Sequence, residues 1–353
     1  MKKKILISTG GSGGHVKPAI ALYEHLKDNF EVFFSSDLRG KKYFDEEFKN
    51  FQIINTPKLN SKILFPFNFI IIIFLTFRCL FFLRKEKIDY VLSTGGYMSI
   101  PVCLASKFLK IDIYLLEPNI VLGRANRFFL NFSKKIFCYS ENIKHFPKKN
   151  ESKKIIINPV VRKFFFKEEN ITDKIDKFKI LVIGGSQGAS IFDKNFNMAF
   201  KNISKFYSIK IFHQTNQENI NFLKEFYLKN NIENEVFSYN ENLFNPFRNF
   251  DLCVTRAGAS TLSELIILSI PFLAIPLPNS KDNHQLENAI FYEDKGYSWH
   301  INQNSLSQKK VEDFFLNILK SRDDYDKKKM KMKNFKINNP WKKDNRKILD
   351  AII

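Results

Sequence analysis

Short apolar runs recur along the chain, and most of them end in a glycine-rich or polar turn that a helical stretch follows. Runs of this kind are typical of strands that are buried on both faces of a sheet. Their alternation with helical stretches predicts β-α-β units on parallel sheets, and therefore an α/β fold. Strands are predicted at residues 4–8, 31–36, 89–93, 112–116, 135–139 and 154–157, and again at 179–183, 210–213, 235–238, 252–254 and 272–275.

The pattern begins a second time halfway along the chain. The run Lys179-Ile-Leu-Val-Ile183 and its turn Gly184-Gly-Ser-Gln-Gly188 repeat the opening run Lys4-Ile-Leu-Ile7 and its turn Gly10-Gly-Ser-Gly-Gly14. We therefore expect two similar α/β domains in tandem, with a cleft between them.

The domain boundaries follow from changes in composition. We expect an N-terminal domain at 1–162, a polar and charge-rich linker at 163–177, and a C-terminal domain at 178–337. The last segment, 338–353, is a tail that could pack back on the N-terminal domain. The lysine-rich stretch that begins at Asp323 is expected to form a solvated basic face.

The amino-acid composition excludes some classes of protein and indicates the charge of the partner. Hydrophobic residues make up 44% of the 353 residues, which excludes a disordered chain and a collagen-like chain. The chain carries 56 Lys and Arg against 36 Asp and Glu, a net charge of +20. Such a charge predicts an anionic partner, which could be a nucleic acid, a phosphorylated substrate or an acidic membrane surface. It is also what a general enrichment in lysine, phenylalanine, isoleucine and asparagine would produce.

Cysteine placement and the N-terminus indicate the compartment. The four cysteines are scattered, with no C-x-x-C pair and no histidine at zinc-ligand spacing. This predicts a reduced, cytosolic setting and no metal site. The apolar stretch at 5–7 is far shorter than the roughly 7–15 residues of a signal-peptide core, so we interpret it as a first strand.

One segment, Ile63 to Phe77, is almost entirely apolar. It runs for 15 residues, includes Pro66 and Asn68, and ends before Arg78. Because a membrane-spanning helix needs about 20 apolar residues, we expect no transmembrane helix here. Cations on both sides of the segment instead favour shallow contact with a membrane surface, while a buried helix remains the alternative.

The two glycine-rich turns are candidate phosphate sites. A turn of this kind between a strand and a helix directs backbone N–H groups and the positive end of the helix toward an anion. A dinucleotide-binding fold is the main alternative, because Asp37 lies 24 residues after Gly13, where a ribose-binding acid would stand. The sequence does not match the dinucleotide-binding fingerprint G-x-G-x-x-G, however, because Val16 occupies the place of the third glycine.

Polar residues also gather near strand ends in the second half. Thr261 and Glu264 have the spacing of a capping box, in which both side chains would cap a helix N-terminus. The functional alternative is that the Glu264 carboxylate accepts hydrogen bonds from both hydroxyls of a ribose.

The motifs of the chain, taken together and in order, are specific for one family. The chain resembles the bacterial glycosyltransferases that add N-acetylglucosamine to undecaprenyl-diphospho-N-acetylmuramoyl-pentapeptide (lipid I) and so form lipid II for the cell wall. The resemblance runs from residue 4 to about residue 300 and rests on an ordered set of motifs: Gly10-Gly-Ser-Gly-Gly-His-Val-Lys-Pro18, Gly95-Gly-Tyr-Met-Ser-Ile-Pro101, Glu117-Pro-Asn119 with Asn126-Arg127, Asn158-Pro-Val-Val-Arg162, Gly184-Gly-Ser-Gln-Gly-Ala189, His213-Gln-Thr215, Arg256-Ala-Gly258 and Asp282-Asn-His-Gln285.

The resemblance implies a GT-B fold, which consists of two Rossmann-like domains. It implies that the nucleotide sugar UDP-GlcNAc binds mainly to the C-terminal domain and the lipid acceptor to the N-terminal domain. It also implies an inverting transfer without a metal or cofactor, by an enzyme peripheral to the cytoplasmic face of the bacterial membrane.

The family's UDP-GlcNAc contacts fall on matching positions of this sequence. The resemblance implies that they are Ser12, Gly13, Gly14, Asn119, Arg162, Ser186, Asn240, Ala259, Ser260, Thr261, Leu262, Ser263, Glu264 and Gln285. Among them it gives Ser186 a diphosphate contact, Asn240 a backbone contact to uracil, Glu264 the ribose and Gln285 a hydroxyl of the sugar. It also favours membrane contact by the apolar segment and its cations, for which we name Phe69, Phe74, Phe77, Arg78, Arg84 and Lys85.

His15 is the candidate catalytic base. Of six histidines it is the one that lies in a glycine-rich turn, and a neutral imidazole accepts a proton near pH 7. Its alternative role is to hold the shape of the turn, and Tyr97 and Asp37 are the other candidates for the base.

Two competing functions stay open at this stage. One is a different enzyme on the same fold, such as a lipid galactosyltransferase or a UDP-sugar epimerase, because a fold alone does not determine a reaction. The other is a basic nucleic-acid-binding protein. We expect no nucleic-acid partner, because the sequence contains no nucleic-acid-binding motif.

Overall fold

A computed structural model describes residues 2–44, 48, 50–57, 65–167, 177–184, 190–238 and 250–353. The chain divides into two compact units. Unit 1 comprises Met1–Lys163 together with Trp341–Ile353, and unit 2 comprises Phe164–Pro340.

Unit 1 is built on a parallel sheet with the strand order β3-β2-β1-β4-β5-β6-β7, counted over its described residues. The strands are β1 Lys4–Ser8, β2 Glu31–Ser36, β3 Phe51–Ile53, β4 Tyr90–Ser93, β5 Asp112–Glu117, β6 Lys135–Cys138 and β7 Lys154–Ile156. The α-helices between them are α1 Gly13–Leu26, α2 Leu38–Lys41, α3 Phe65–Glu86, α4 Ile100–Phe108 and α5 Arg124–Phe129. Because the strands are parallel, their carboxyl ends lie at one edge of the sheet, where the connecting loops can form a site.

Unit 2 repeats this plan on a parallel sheet with the order β10-β9-β8-β11-β12-β13 in the part of the chain that is described. Its strands are β8 Phe178–Ile183, β9 Ile209–Gln214, β10 Glu233–Phe237, β11 Leu252–Thr255, β12 Phe272–Ala274 and β13 Ser298–His300. Its α-helices are α6 Ser190–Ile203, α7 Ile220–Lys229, α8 Ala259–Leu268, α9 His284–Asp294, α10 Gln308–Lys320 and α11 Asp323–Asn338.

All eleven predicted strands are present, with ends that shift by one or two residues. Two further strands, β3 and β13, have no counterpart among the predictions. Each has three residues and lies at an edge of its sheet, and neither forms an apolar run long enough to be recognised.

Helix α3 corrects the prediction for the apolar segment. Arg78 does not end it, and the helix continues to Glu86, for a total of 22 residues. By length and composition, Pro66–Glu86 is the one described helix that could cross a membrane. The apolar segment therefore belongs to a helix of spanning length, and the prediction that it is too short to span a membrane is wrong.

The packing of α3 gives it two different faces. Its buried stripe includes Leu75, Cys79 and Leu83, which pack in a core with sheet residues such as Val91. The opposite face leaves large apolar side chains in solvent: Phe67, Phe69, Ile70, Ile73, Phe74, Phe77 and Phe81. The helix thus packs on the sheet of unit 1 with one face and exposes large apolar side chains on the other.

The last helix, α12 (Asn345–Ile352), belongs to unit 1. Ile348 and Ile352 lie in the same core cluster as Ile5 and Phe34 of the central strands. Asp344, which precedes the helix, accepts hydrogen bonds from the backbone N–H and the side-chain amide of Asn158, both at 2.7 Å. The C-terminus therefore completes the core of the unit that begins the chain.

We expect Ile348→Ala to lower the free energy of unfolding by about 2–5 kcal/mol, because it removes a side chain that is only 1% exposed and leaves a cavity. Urea denaturation of the full chain measures the change. Ile353→Ala is the matched control, since Ile353 is 71% exposed. Equal destabilisation by the two variants would contradict the role of α12 in the core.

Candidate active site

His15 lies in the first turn of α1, at the carboxyl edge of the sheet in unit 1. Its Nδ1 is 2.9 Å from the carbonyl oxygen of Thr94, which follows β4. A carbonyl oxygen only accepts hydrogen bonds, so Nδ1 carries the proton and the neutral ring has its lone pair on Nε2. This is the tautomer that a general base needs if Nε2 is to take a proton from a substrate.

The loop after β4 is shaped to receive this imidazole. Gly96 has a φ of +79°, and a side chain there would meet the His15 ring at 3.4 Å. Gly95 has a φ of +85°, and a side chain there would meet the Asn126 amide at 3.2 Å. The left-handed backbone conformation favours glycine at both positions, and at Gly95 a side chain would also be tightly spaced against Asn126.

Asp37 fixes the first glycine-rich turn. Its Oδ1 accepts from the backbone N–H of Gly11 and of Gly40, both at 2.8 Å, and its Oδ2 accepts from Arg39 Nε at 2.9 Å. Three donors therefore engage a carboxylate that is almost fully buried. These bonds support a structural role for Asp37 and count against it as the base.

Tyr97, the other alternative to His15, lies one residue beyond Gly96. Arg39 Nη2 contacts its hydroxyl oxygen, and the Arg39 guanidinium carbon is 5.9 Å from the centre of the Tyr97 ring. The sequence analysis did not single out Arg39, although it follows Asp37 by two residues at the same strand end.

Glu117 holds Asn119 in place. At the end of β5, Glu117 Oε1 accepts from the Asn119 backbone N–H at 3.1 Å and from its amide at 3.0 Å. Its Oε2 accepts from the Gly123 N–H at 2.7 Å and from the Asn126 amide at 3.0 Å. Burial raises the pKa of the Glu117 carboxyl, and these four bonds oppose that rise. The sequence analysis assigned Glu117 no role, although an acid at a strand end was a usable signal.

Arg162 is also oriented by a carboxylate. Its Nε donates to Glu24 Oε1 of α1 at 3.2 Å, and the backbone N–H of Lys163 donates to Glu24 Oε2 at 2.6 Å.

Unit 1 brings four of the predicted site residues, Ser12, Gly13, Gly14 and His15, together in one turn. The structure places Asn119 and Arg162 on separate segments, each fixed by its own acid.

The second glycine-rich turn is described only at its ends. Ser186 lies outside the described residues, as does Asn240, so the predictions for both stay untested. At the start of the turn, the Gly184 N–H donates to Gln214 Oε1 at 3.2 Å. After the turn, Asp193 of α6 accepts from Thr215 at 2.6 Å and from Asn219 at 2.9 Å.

A buried histidine completes this arrangement. His213 Nε2 lies 3.2 Å from Asp193 Oδ1, and its Nδ1 lies 2.8 Å from the Tyr227 hydroxyl. Burial acts to raise the pKa of Asp193, but the bonds from His213, Thr215 and Asn219 outweigh it and hold that pKa below its ordinary value. The His213-Gln-Thr215 motif thus supports both ends of the turn.

Helix α8 begins earlier than a capping box at Thr261 would allow. Its N-cap is Gly258, with extended backbone, and the helix starts at Ala259. Thr261 is therefore inside the first turn, and the capping-box interpretation is wrong. The reason is tertiary, since β11 ends at Thr255 and the chain enters the helix after only three more residues.

The predicted nucleotide contacts in α8 are mostly buried. Glu264, Ser260 and Ala259 have little exposure, Leu262 has none, and Ser263 donates its hydroxyl to the Ala259 carbonyl oxygen at 2.8 Å. Ala259 to Ser263 thus form the first turn of a helix at the carboxyl edge of the sheet in unit 2.

Three polar side chains join the loops along this edge. Gln285 Oε1 accepts from the Leu277 N–H at 2.9 Å, and the Asn288 amide donates to the Ala257 carbonyl oxygen at 3.0 Å. Arg256 Nη1 donates to the Ile275 carbonyl oxygen at 3.1 Å. Gln285, which the sequence predicts as a sugar contact, is therefore already anchored next to a loop of this edge.

Over the described ranges, no group of three or more His, Cys, Asp or Glu side chains could hold a metal ion.

Comparison with known families matches both halves of the chain. The N-terminal domain of glycosyltransferase family 28 matches residues 5–138, and the C-terminal domain of the same family matches residues 179–342. These two ranges together include most of the 353 residues.

Curated relatives match over the full length. The protein of Pelagibacter ubique (strain HTCC1062) named UDP-N-acetylglucosamine--N-acetylmuramyl-(pentapeptide) pyrophosphoryl-undecaprenol N-acetylglucosamine transferase is 47% identical, over 100% of this chain and 99% of the relative. The protein of the same name from Rickettsia bellii (strain RML369-C) is 35% identical, over 88% of each chain.

Solved structures agree on the fold. MurG of Acinetobacter baumannii superposes with a TM-score of 0.76 at 23% identity, over 100% of this chain and 99% of that one. A UDP-N-acetylglucosamine 2-epimerase superposes with a TM-score of 0.65 at 12% identity, over 99% and 95%. At these identities the likeness shows the fold alone, and it confirms the expected GT-B architecture of two parallel-sheet domains.

The identity of the chain follows from the sequence matches. Both domains of one family are present in order, and the relatives at 47% and 35% identity align over nearly the whole chain. The chain belongs to glycosyltransferase family 28, in the group of N-acetylglucosamine transferases that act in peptidoglycan synthesis.

Proposed function

We propose that the chain transfers N-acetylglucosamine from UDP-GlcNAc to the 4-hydroxyl of the N-acetylmuramoyl residue in lipid I, forming lipid II. The name of a relative that is 47% identical over the full chain supports this reaction. The observation that carries the chemistry is the bond from His15 Nδ1 to the Thr94 carbonyl oxygen, which leaves the lone pair on Nε2.

The chemical step is a displacement at the anomeric carbon. The acceptor hydroxyl oxygen forms the new bond to this carbon while the bond to the UDP oxygen breaks, which inverts the configuration. His15 Nε2 takes the hydroxyl proton, and UDP leaves with the bonding electron pair. The N–H groups at the start of α6 supply hydrogen bonds to the charge that develops on the diphosphate.

The donor is bound mainly by unit 2. Glu264 accepts from the two ribose hydroxyls, the turn Ala259–Ser263 surrounds the nucleotide, and Gln285 meets a hydroxyl of the sugar. Ser186 and Asn240 complete this set by analogy with the family. Unit 1 contributes Ser12, Gly13, Gly14, Asn119 and Arg162, and it also binds the acceptor.

The exposed face of α3 provides membrane contact, which makes the enzyme peripheral to the cytoplasmic face of the membrane. Phe69, Phe74 and Phe77 are at least half exposed on this face, and Arg78, Arg84 and Lys85 of the same helix are also exposed. Apolar side chains would enter the membrane interface while the cations meet anionic head groups. Each cation contributes about 1 kcal/mol of binding free energy near the surface.

We expect His15→Ala to lower kcat by about 10²–10⁴-fold, the usual cost of losing a general base, with little change in UDP-GlcNAc affinity. Steady-state kinetics with a lipid I analogue and calorimetric titration of the donor measure the two quantities. His145→Asn is the control, because His145 is exposed and its positive φ suits asparagine. A kcat within threefold of the wild type would assign the base elsewhere.

Glu264→Gln should weaken UDP and UDP-GlcNAc together by roughly ten- to a hundredfold. The reason is the loss of charge-assisted bonds to the ribose, each worth about 1.5–3 kcal/mol. Isothermal titration measures both ligands, with the exposed Glu225→Gln of α7 as the matched control. Unchanged affinities would remove Glu264 from the donor site.

Flotation of the protein with anionic liposomes should decrease as salt is raised, and Phe74→Glu should abolish it, because a carboxylate would replace a side chain that is 67% exposed on the apolar face. Phe222→Glu on α7 makes the same change at an exposed position of unit 2. Equal loss in both variants would argue against a specific face. Wild-type protein that resists extraction by carbonate would instead indicate that α3 spans the membrane.

A further inference from the structure

Arg39 is a cationic side chain at the proposed site to which neither the sequence resemblance nor the proposed reaction assigns a role. It lies in α2, directly after the carboxyl end of β2. Its Nε donates to Asp37 at 2.9 Å, and the Arg39 side chain is 51% exposed whereas that of Asp37 is 5% exposed. A buried carboxylate thus holds the guanidinium from one side, and about half of the Arg39 side chain is exposed.

Arg39 is close to the turn that carries His15. A side chain at Gly11 would come within 4.0 Å of Arg39 Nη2. Asp37, which orients Arg39, also accepts from the Gly11 backbone N–H at 2.8 Å. The guanidinium is therefore fixed relative to the first glycine-rich turn by a shared carboxylate.

One short loop connects Arg39 to His15. The loop after β4 receives His15 at Thr94 and Gly96, and its next residue, Tyr97, contacts Arg39 through the phenol oxygen. The candidate base and the guanidinium thus contact the same four-residue segment, 94–97.

The acceptor carries two groups that a base and a guanidinium can bind. Its reactive 4-hydroxyl and its anomeric diphosphate lie on opposite sides of the same sugar ring. Guanidinium groups bind phosphate oxygens through pairs of N–H donors, and they keep their charge at any pH that the protein survives.

We propose that Arg39 binds the diphosphate of the lipid-linked acceptor while His15 meets the hydroxyl across the ring. This inference rests on the proposed function, which supplies both the acceptor and the role of His15. The diphosphate of the donor is the other possible ligand of the same chemistry. The acceptor is favoured because Arg39 and the candidate base share one loop system within unit 1.

The test compares Arg39→Gln with Lys41→Gln, which removes an exposed cation from the same helix. Steady-state kinetics of the full chain are measured with UDP-GlcNAc and a soluble lipid I analogue that keeps its diphosphate. We expect Arg39→Gln to raise the KM of the acceptor about tenfold or more and to leave the KM of UDP-GlcNAc within twofold. Lys41→Gln should change neither, and Arg39→Lys should recover part of the loss because it keeps the charge beside Asp37.

A second measurement identifies the anion. A short prenyl diphosphate should inhibit competitively against the acceptor, and its inhibition constant should rise with Arg39→Gln in parallel with the KM. A raised KM with an unchanged inhibition constant would mean that Arg39 meets a carboxylate of the peptide stem, which overturns the proposal.

Other outcomes also overturn it. A raised KM for UDP-GlcNAc alone would assign Arg39 to the donor, and a lower kcat with both KM values unchanged would leave it only a positioning role toward Tyr97. Wild-type protein that transfers no sugar to the analogue would refute the proposed function itself. Active wild type together with wild-type behaviour of Arg39→Gln would refute the Arg39 inference alone.

Discussion

The hydrogen bonds that the Asp37 carboxylate accepts are the interactions on which the loops at the carboxyl edge of the sheet in unit 1 depend. In a parallel sheet the strands satisfy one another's backbone groups, but the loops beyond their carboxyl ends have no ladder to join. Asp37 accepts the N–H groups of Gly11 and Gly40, and thereby joins the loop after β1 to the loop after β2. Through Arg39 it also reaches Tyr97 in the loop after β4. One buried anion thus holds three loops that would otherwise move independently.

Two other carboxylates of unit 1 hold segments of the chain in the same way, whereas His15 makes a different kind of contact. Glu117 uses both oxygens to hold the segment that carries Asn119, and Glu24 orients Arg162. His15 is different, because its fixed contact is a neutral carbonyl oxygen. The acids are thus engaged in holding the loops, and in our proposal the imidazole is the group that takes the proton.

Helix α3 meets two requirements with one sequence. Its buried stripe must cover the sheet, since an uncovered parallel sheet would expose apolar side chains on that face. Its other face also carries large apolar side chains, together with the cations Arg78, Arg84 and Lys85, and is left in solvent. The apolar side chains on both faces are thus explained by packing on one side and, in our proposal, by the lipid interface on the other.

The sequence by itself determined the α/β class, the tandem repeat of the domain and eleven of the described strands, because strands that are buried on both faces of a sheet form apolar runs. It also determined the motifs that identify the family. It could not determine the edge strands β3 and β13, because Gln52 interrupts β3 and Ser298 and His300 flank the one tryptophan of β13, so that neither forms an apolar run.

Tertiary structure alone decided the remaining features. The length of α3 depended on whether Arg78 could stay exposed on a helix already anchored to the sheet. The start of α8 at Ala259, rather than at Thr261, depended on where β11 ended, and the pairing of Thr255 with Ile183 of β8 and Ala274 of β12 sets that end. The position of the Arg39 side chain depended on Tyr97, which is 58 positions away along the chain. For α8 and for Arg39 the deciding contact joins residues that are distant in sequence, and no local pattern of residues records which distant groups the fold will bring within hydrogen-bonding distance.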